Sequence, residues 1–295
     1  MTTRHRPPTV PPAYPAVEMP GCGVGIDRFV GLDLAWRESR PGLAANETGV
    51  AVLDPDGRVV DAGWTRGLDE TVERVAAAAG ESALLFVDAP LVVDNPSGQR
   101  ACETQVGQRY GQWKVSANTT NLRSPRLAGV ALRRRLEKQG WRYSDGHSGP
   151  PAHGRSCSEC YPYTTLVGAS ELGYDLERPR YKRKPRHMPT AQWRPIRQSA
   201  CDDLVQRLTP LARADPPLRL DSHPLTRQLA VESAPLTDTA YKHREDLIDA
   251  LLCAWTAALW SRHGTDRCQV LGPPQEGTTE PVATIIAPAR TEQRR

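Results

Sequence analysis

A chain of 295 residues with 39% hydrophobic residues and a formal net charge of +4 is long enough to bury a sizeable core, which excludes a disordered or fibrous polypeptide. It has no apolar run of about eighteen residues, and its start, MTTRHRPPTVPPAYPAVEMPG, has no apolar signal core, so no membrane span is expected and a soluble cytoplasmic protein is. Seven cysteines without framework spacing fit reduced thiols rather than disulfides.

Residues 1–26 read as a proline-rich tail, 27–288 as one domain and 289–295 as a basic tail. The stretch from about 266 is rich in Gly, Pro, Thr and Glu, with one late apolar run from Val282 to Ile286. Strands are expected at 28–36, 48–54 and 58–65, the last two joined by the Asp54-Pro-Asp-Gly57 turn, which together make an antiparallel meander. A helix at 69–79 leads to a buried strand at 83–89, stopped by Pro90. Ser124 and Pro125 start a helix that Gly140 closes, and ECYPYTTL at 159–166 reads as another strand. The last strong helix spans 243–261, with Asp246, Ala250, Cys253 and Ala257 on one face, small enough to lie close to a sheet. Segments at about 37–47, 144–156 and 177–199 are read as inserted loops.

Acids stand out in this pattern. Asp33 ends the apolar run FVGLD, Asp88 ends LLFVD, and Asp246 with Asp249 sits in the terminal helix. A carboxylate at the end of a buried strand is costly unless paired, hydrogen-bonded or bound to a cation. Hard divalent ions take oxygen ligands, so Asp33, Asp88 and Asp246 are read as ligands of Mg2+ or Mn2+, with Asp33 bridging. Asp249 lies three residues from Asp246 and can face the same side, so either can be the ligand while the other caps or pairs. Glu159, at the start of ECYP, is a further candidate acid. Each has a plainer reading as a strand-end, turn or helix-start acid.

Other residues point to phosphate. The segment 178–197 holds eight Arg or Lys and no acid, with Tyr181 and Trp193 interleaved. Lys182, Arg183 and Lys184 would suit phosphate contacts and the aromatics base stacking, although a solvated basic loop would look the same. Arg100 and Glu103 in SGQRACE share a helical face, where Arg100 would hold a phosphate or simply pair with Glu103. Lys242 would reach substrate phosphate, and His243 beside it suits an acid or proton shuttle. His147, His153, Cys157 and Cys160 supply four zinc-ligand types within a short span, a weaker expectation because a single CxxC is common by chance.

The predicted order, an antiparallel meander, helix, strand, helix, strand and a carboxylate-bearing helix, is that of the ribonuclease H-like fold, a mixed α/β sheet flanked by helices. The helix DLIDALLCAW is similar to the last catalytic helix of Holliday-junction resolvases. The blocks FVGLDLAW, NETG (46–49), VDAPLVV, SGQRACE, ECYP, DLIDALLCAW and EPVATIIAP resemble those of a widespread family of predicted ribonuclease H-like nucleases, over about 28–288. That resemblance implies metal-dependent phosphodiester hydrolysis of nucleic acid, with DNA, RNA, hybrid, junction or a small phosphoester fitting alike. A non-catalytic binding module of the same fold is the alternative. An actin-like ATPase or sugar kinase fits Gly31-Leu32-Asp33 alone, since a second glycine-rich phosphate hairpin is missing. Phosphate-loop, dinucleotide, nucleophile-elbow and HExxH signatures are missing too.

Overall fold

The computed structural model describes residues 25–35, 46–125, 127–274 and 280–294. The predicted proline-rich tail up to residue 24 and most of the 37–47 insertion lie outside the described residues. The body is a mixed α/β fold. Strands β1 (Arg28–Asp33), β2 (Glu47–Leu53) and β3 (Val59–Arg66) form the expected meander, then α1 (Gly67–Ala78) crosses to β4 (Ala83–Val87). Helices α2 (Ala101–Tyr110) and α3 (Ala128–Lys138) precede β5 (Arg142–Tyr143) and β6 (Arg155–Glu159). Helices α4 (Pro162–Gly168), α5 (Thr190–Leu208), α6 (Pro224–Val231) and α7 (Asp238–His263) follow, then β7 (Cys268–Leu271) and β8 (Ile285–Pro288).

Six strands make one sheet in the order β3-β2-β1-β4-β6-β5. The first three run antiparallel, whereas β1 with β4, β4 with β6 and β5 with β6 are parallel. Asp54 closes the β2–β3 turn: its Oδ1 accepts from Asp56 N at 3.0 Å and Arg58 N at 2.8 Å, and Gly57 takes the positive φ of 72° that the turn requires.

Both faces of the sheet are buried, which is why its central strands read as continuous apolar runs. Val30, Leu32, Val50, Val52, Leu85 and Val87 point into one core, covered by α1 and α3. Phe29, Ala51, Leu53, Leu84 and Phe86 point into the other, built on α7. On the α7 face, Gly31 and Gly49 replace side chains with space. A Cβ on Gly31 would stand 2.0 Å from Ala250 O, and one on Gly49 would stand 2.3 Å from Asp246 O. The helix therefore touches the backbone of β1 and β2. Every residue of α7 from Asp246 to Trp260 is buried, the pattern of a helix covered on all sides.

Three expectations are corrected. The strand expected at 159–166 ends at Glu159, and Pro162 opens α4 instead; proline has no N–H for a ladder and its fixed φ suits the first helical turn. The supposed loop at 177–199 gives way at Thr190 to α5, whose buried Trp193, Arg197, Cys201, Leu204, Val205 and Leu208 keep helical spacing across Pro195. The low-complexity end is not wholly irregular, because β7 and β8 pair antiparallel, Leu271 against Ile285 and Cys268 against Pro288. Beyond them Gln293 is buried, and Arg294 donates to the carbonyls of Thr265 and Cys268.

Gly31→Ala should cost at least about 2 kcal/mol, because backbone rather than a yielding side chain meets the new methyl; a fall in the urea midpoint measures it, and an unchanged midpoint would mean α7 does not sit this close.

Candidate carboxylate centre

Strand alternation sends Asp33 to the same side as Phe29 and Gly31, the side on which α7 lies. Asp88 follows β4, and its N–H extends the parallel ladder by donating to Leu32 O at 2.8 Å. Asp246 and Asp249 come down from α7. Asp33, Asp88 and Asp249 each offer a carboxylate oxygen within 4.8 Å of the others, the one such cluster of potential metal ligands found among the described residues. Asp246 stands beside Asp33, and Lys242 approaches both carboxylates. The helix thus places both of its acids at the centre, Asp249 in the triad and Asp246 against Asp33.

Crowding and burial set the electrostatics. Asp88 is partly exposed as a residue, but its carboxyl group is enclosed. Desolvation pushes it up to about 7, Lys182 opposes that rise, and the charges of Asp33 and Glu159 add to it. Asp246 is pushed up to about 8, first by desolvation and then by Asp33, against the pull of Lys242. Two lysines offset part of the negative charge. Lys182 pairs with Asp249, whose other oxygen accepts from the buried Tyr181 hydroxyl at 2.6 Å. Lys242 pairs with Asp246, lies 3.0 Å from Glu245 and 4.0 Å from Asp33, and keeps 58% of its side chain exposed.

The remaining candidates separate. Glu159 is buried at the end of β6, where Arg100 grips it with two bonds of 2.8 and 2.6 Å and Leu91 N adds a third at 3.1 Å. The same guanidinium donates to Glu103 at 2.9 Å, and Arg100 is 3% exposed. Arg100 is therefore committed inside the protein rather than offered to a phosphate. This ion pair stands behind Asp88 and holds the β4 and β6 ends to the start of α2.

In the basic segment only Lys182 reaches the acids; Arg183 and Lys184 are exposed, with Lys184 donating to Met188 O at 2.8 Å. Tyr181 and Trp193 are buried, so neither ring is presented for base stacking. The zinc quartet is not assembled. Cys157 points into the core under α1 and α3, Cys160 into the opposite core, and His147 and His153 are exposed, His147 bonded to Pro273 O at 3.0 Å. The Tyr181–Lys182 clasp on Asp249 was missed by sequence reasoning, and the one trace of it is an aromatic–lysine pair inside a basic run.

Residues 25–276 match the profile of the family described as "Protein of unknown function (DUF429)", and the chain belongs to that family. No curated protein and no solved structure matches it significantly.

Two outcomes follow from the geometry. Asp88 and Asp246 hold protons more tightly folded than unfolded, so the stability they contribute is complete below about pH 3.8 and is lost as pH rises through about 7 and 8. Thermal melts in chelator should therefore show a melting temperature that falls between pH 5 and 9, and Asp246→Asn should flatten that slope. Arg100→Met leaves the buried Glu159 and Glu103 carboxylates with backbone donors but no counter-charge and should cost about 3–5 kcal/mol by urea unfolding, with part recovered on adding Glu159→Leu; a loss below about 1 kcal/mol would place the pair at the surface.

Proposed function

We propose that this member of the family is a divalent-metal phosphodiesterase of ribonuclease H-like architecture acting on nucleic acid. The observation that carries the reading is the convergence of Asp33, Asp88 and Asp249 within 4.8 Å, with Asp246 beside Asp33. Strand order supports the architecture: the meander continues into parallel strands, with acids at the ends of the two central ones and on the helix lying across them.

The donor set fits Mg2+ or Mn2+. All four groups supply hard oxygens, and Asp88 and Asp246 are raised first by burial and then by the neighbouring Asp33 charge, both of which a bound cation would offset. Asp33, Asp88 and Asp249 would hold one ion, with Asp246 joining through Asp33, and such an ion neutralises phosphoryl oxygens and lowers the pKa of bound water. The chain's own residues do the rest. Arg100 fixes Glu159 and the strand ends beneath Asp88. Lys242 is exposed enough to turn from Asp246 to a phosphate oxygen, and the exposed Arg183 and Lys184, which follow Lys182 in the chain, add positive charge to that segment.

One observation favours a second reading. Lys182 on Asp249 and Lys242 on Asp246 already neutralise two acids, as a binding module without a metal would require.

The deciding experiment offers labelled single-stranded, duplex, hybrid and junction substrates with Mg2+ or Mn2+ to the wild type, Asp33→Asn and Asp249→Asn. Cleavage by the wild type, lowered at least about 1,000-fold in both variants with their melting temperatures unchanged or raised, is the expected result. No cleavage, together with no Mn2+ uptake by calorimetry, would move the chain to the binding module.

A further inference from the structure

Beside the carboxylate centre the surface opens into a groove of about 490 Å3 lined by Asn46, Glu47, Arg66, Lys242, His243 and Asp246 among others. His243 stands three residues before Asp246 on α7, a spacing that puts both side chains on one face. Its imidazole is held in place. Nε2 meets a carboxylate oxygen of Glu47, the ring lies against Trp64 with centroids 5.1 Å apart, and Trp64 Nε1 donates to the His243 carbonyl at 3.1 Å. Glu47 is itself fixed by Arg66 at 2.6 Å. Yet 40% of the His243 side chain remains exposed. With Nε2 facing a carboxylate, Nδ1 is the nitrogen left for a ligand in the groove.

The segment NETG acquires a purpose in this arrangement. Glu47 orients His243, Thr48 Oγ1 accepts from Ala35 N at 3.1 Å just beyond Asp33, and Gly49 admits Asp246. One short run of β2 thus serves the acid-bearing strand, the acid-bearing helix and the histidine between them.

Hydrolysis of a nucleic-acid diester expels an alkoxide, a poor leaving group unless a proton reaches it as the bond breaks. We infer that His243 is the general acid of this centre and that Glu47 is its positioning residue, an inference that rests on the phosphodiesterase reading. Water oxygen bonds to phosphorus and its proton passes to solvent. The bond from phosphorus to the leaving oxygen breaks, its electron pair stays on that oxygen, and imidazolium Nδ1 supplies the proton; solvent then reprotonates the ring. The charged groups facing the ring are Glu47 from β2, Arg66 from β3, and Asp238, Lys242 and Asp246 from α7. On its other flank lie Arg244, from α7, and Glu232, after α6.

The test compares two substrates in the full chain with Mn2+: the labelled oligonucleotides above, whose alkoxide needs a proton, and bis(p-nitrophenyl) phosphate, whose nitrophenolate does not. His243→Ala and His243→Gln should slow oligonucleotide cleavage by about 100- to 1,000-fold and change nitrophenyl release less than about threefold. Glu47→Gln should show the same asymmetry at about tenfold, with Glu47→Asp restoring part. Equal losses on both substrates would make the pair structural, and wild-type rates in the His243 variants would overturn the inference while the phosphodiesterase stands. A wild type that cleaves neither substrate would overturn both.

Discussion

The contact between α7 and the bare backbone of β1 and β2 is the constraint from which the centre follows. Gly31 lets the helix down onto Ala250 and Ala254, and Gly49 lets it down onto Asp246. At ordinary helix-to-sheet distance the acids of α7 would stand several ångströms further from Asp33 and Asp88. The glycines are costly in a strand, and the burial of α7 from Asp246 to Trp260 offsets that cost by removing apolar surface from water. Helix rotation is then no longer free. With Ala250 and Ala254 turned to Gly31, Asp249 must enter the triad and Asp246 must meet Asp33.

Bringing like charges together is unfavourable in proportion to how well water is excluded. The protein meets this in three ways: it leaves Asp88 and Asp246 with a raised affinity for protons, sets Lys182 and Lys242 against the helix acids, and satisfies Glu159 with Arg100. These solutions are not equivalent. The Arg100 pair is fully buried and held by multiple bonds, so it is fixed architecture. The lysine pairs differ from it and from each other: Lys242 keeps 58% of its side chain exposed and can exchange Asp246 for an arriving phosphate, whereas Lys182, 18% exposed and lying over the Tyr163 and Tyr181 rings, is held more firmly on Asp249.

Much of this was legible in the chain. Strand-end acids after apolar runs disclosed Asp33 and Asp88, because a buried carboxylate is conspicuous against Val, Leu and Phe. The meander and α7 followed from periodicity. What stayed hidden depended on partners distant in sequence: whether Arg100 served a phosphate or a protein acid was decided by Glu159, 59 positions away, and the role of Tyr181 by Asp249, 68 positions away. Two prolines mark where the expected elements gave way. Pro162 began a helix where ECYPYTTL was read as a strand, and Pro195 sits inside α5, within the segment read as an inserted loop. The spacing of Asp246 and Asp249 could not choose between them, since only the phase imposed by Gly31 and Gly49 does so.

The order in which the acids occur along the chain carries a consequence for synthesis. Asp33 emerges from the ribosome first, on the strand at the middle of the sheet, and its last partner, Asp249, follows more than two hundred residues later. At a translation rate of roughly 5–20 residues per second, the first acid waits on the order of ten seconds or more for the helix that completes the cluster. During that interval β1 can pair with β2 and β4, but its face toward α7 stays uncovered and Asp33 stays hydrated. The centre is therefore incomplete on a nascent chain until α7 has emerged, and the cluster forms only after the sheet strands that carry Asp33 and Asp88 have been made.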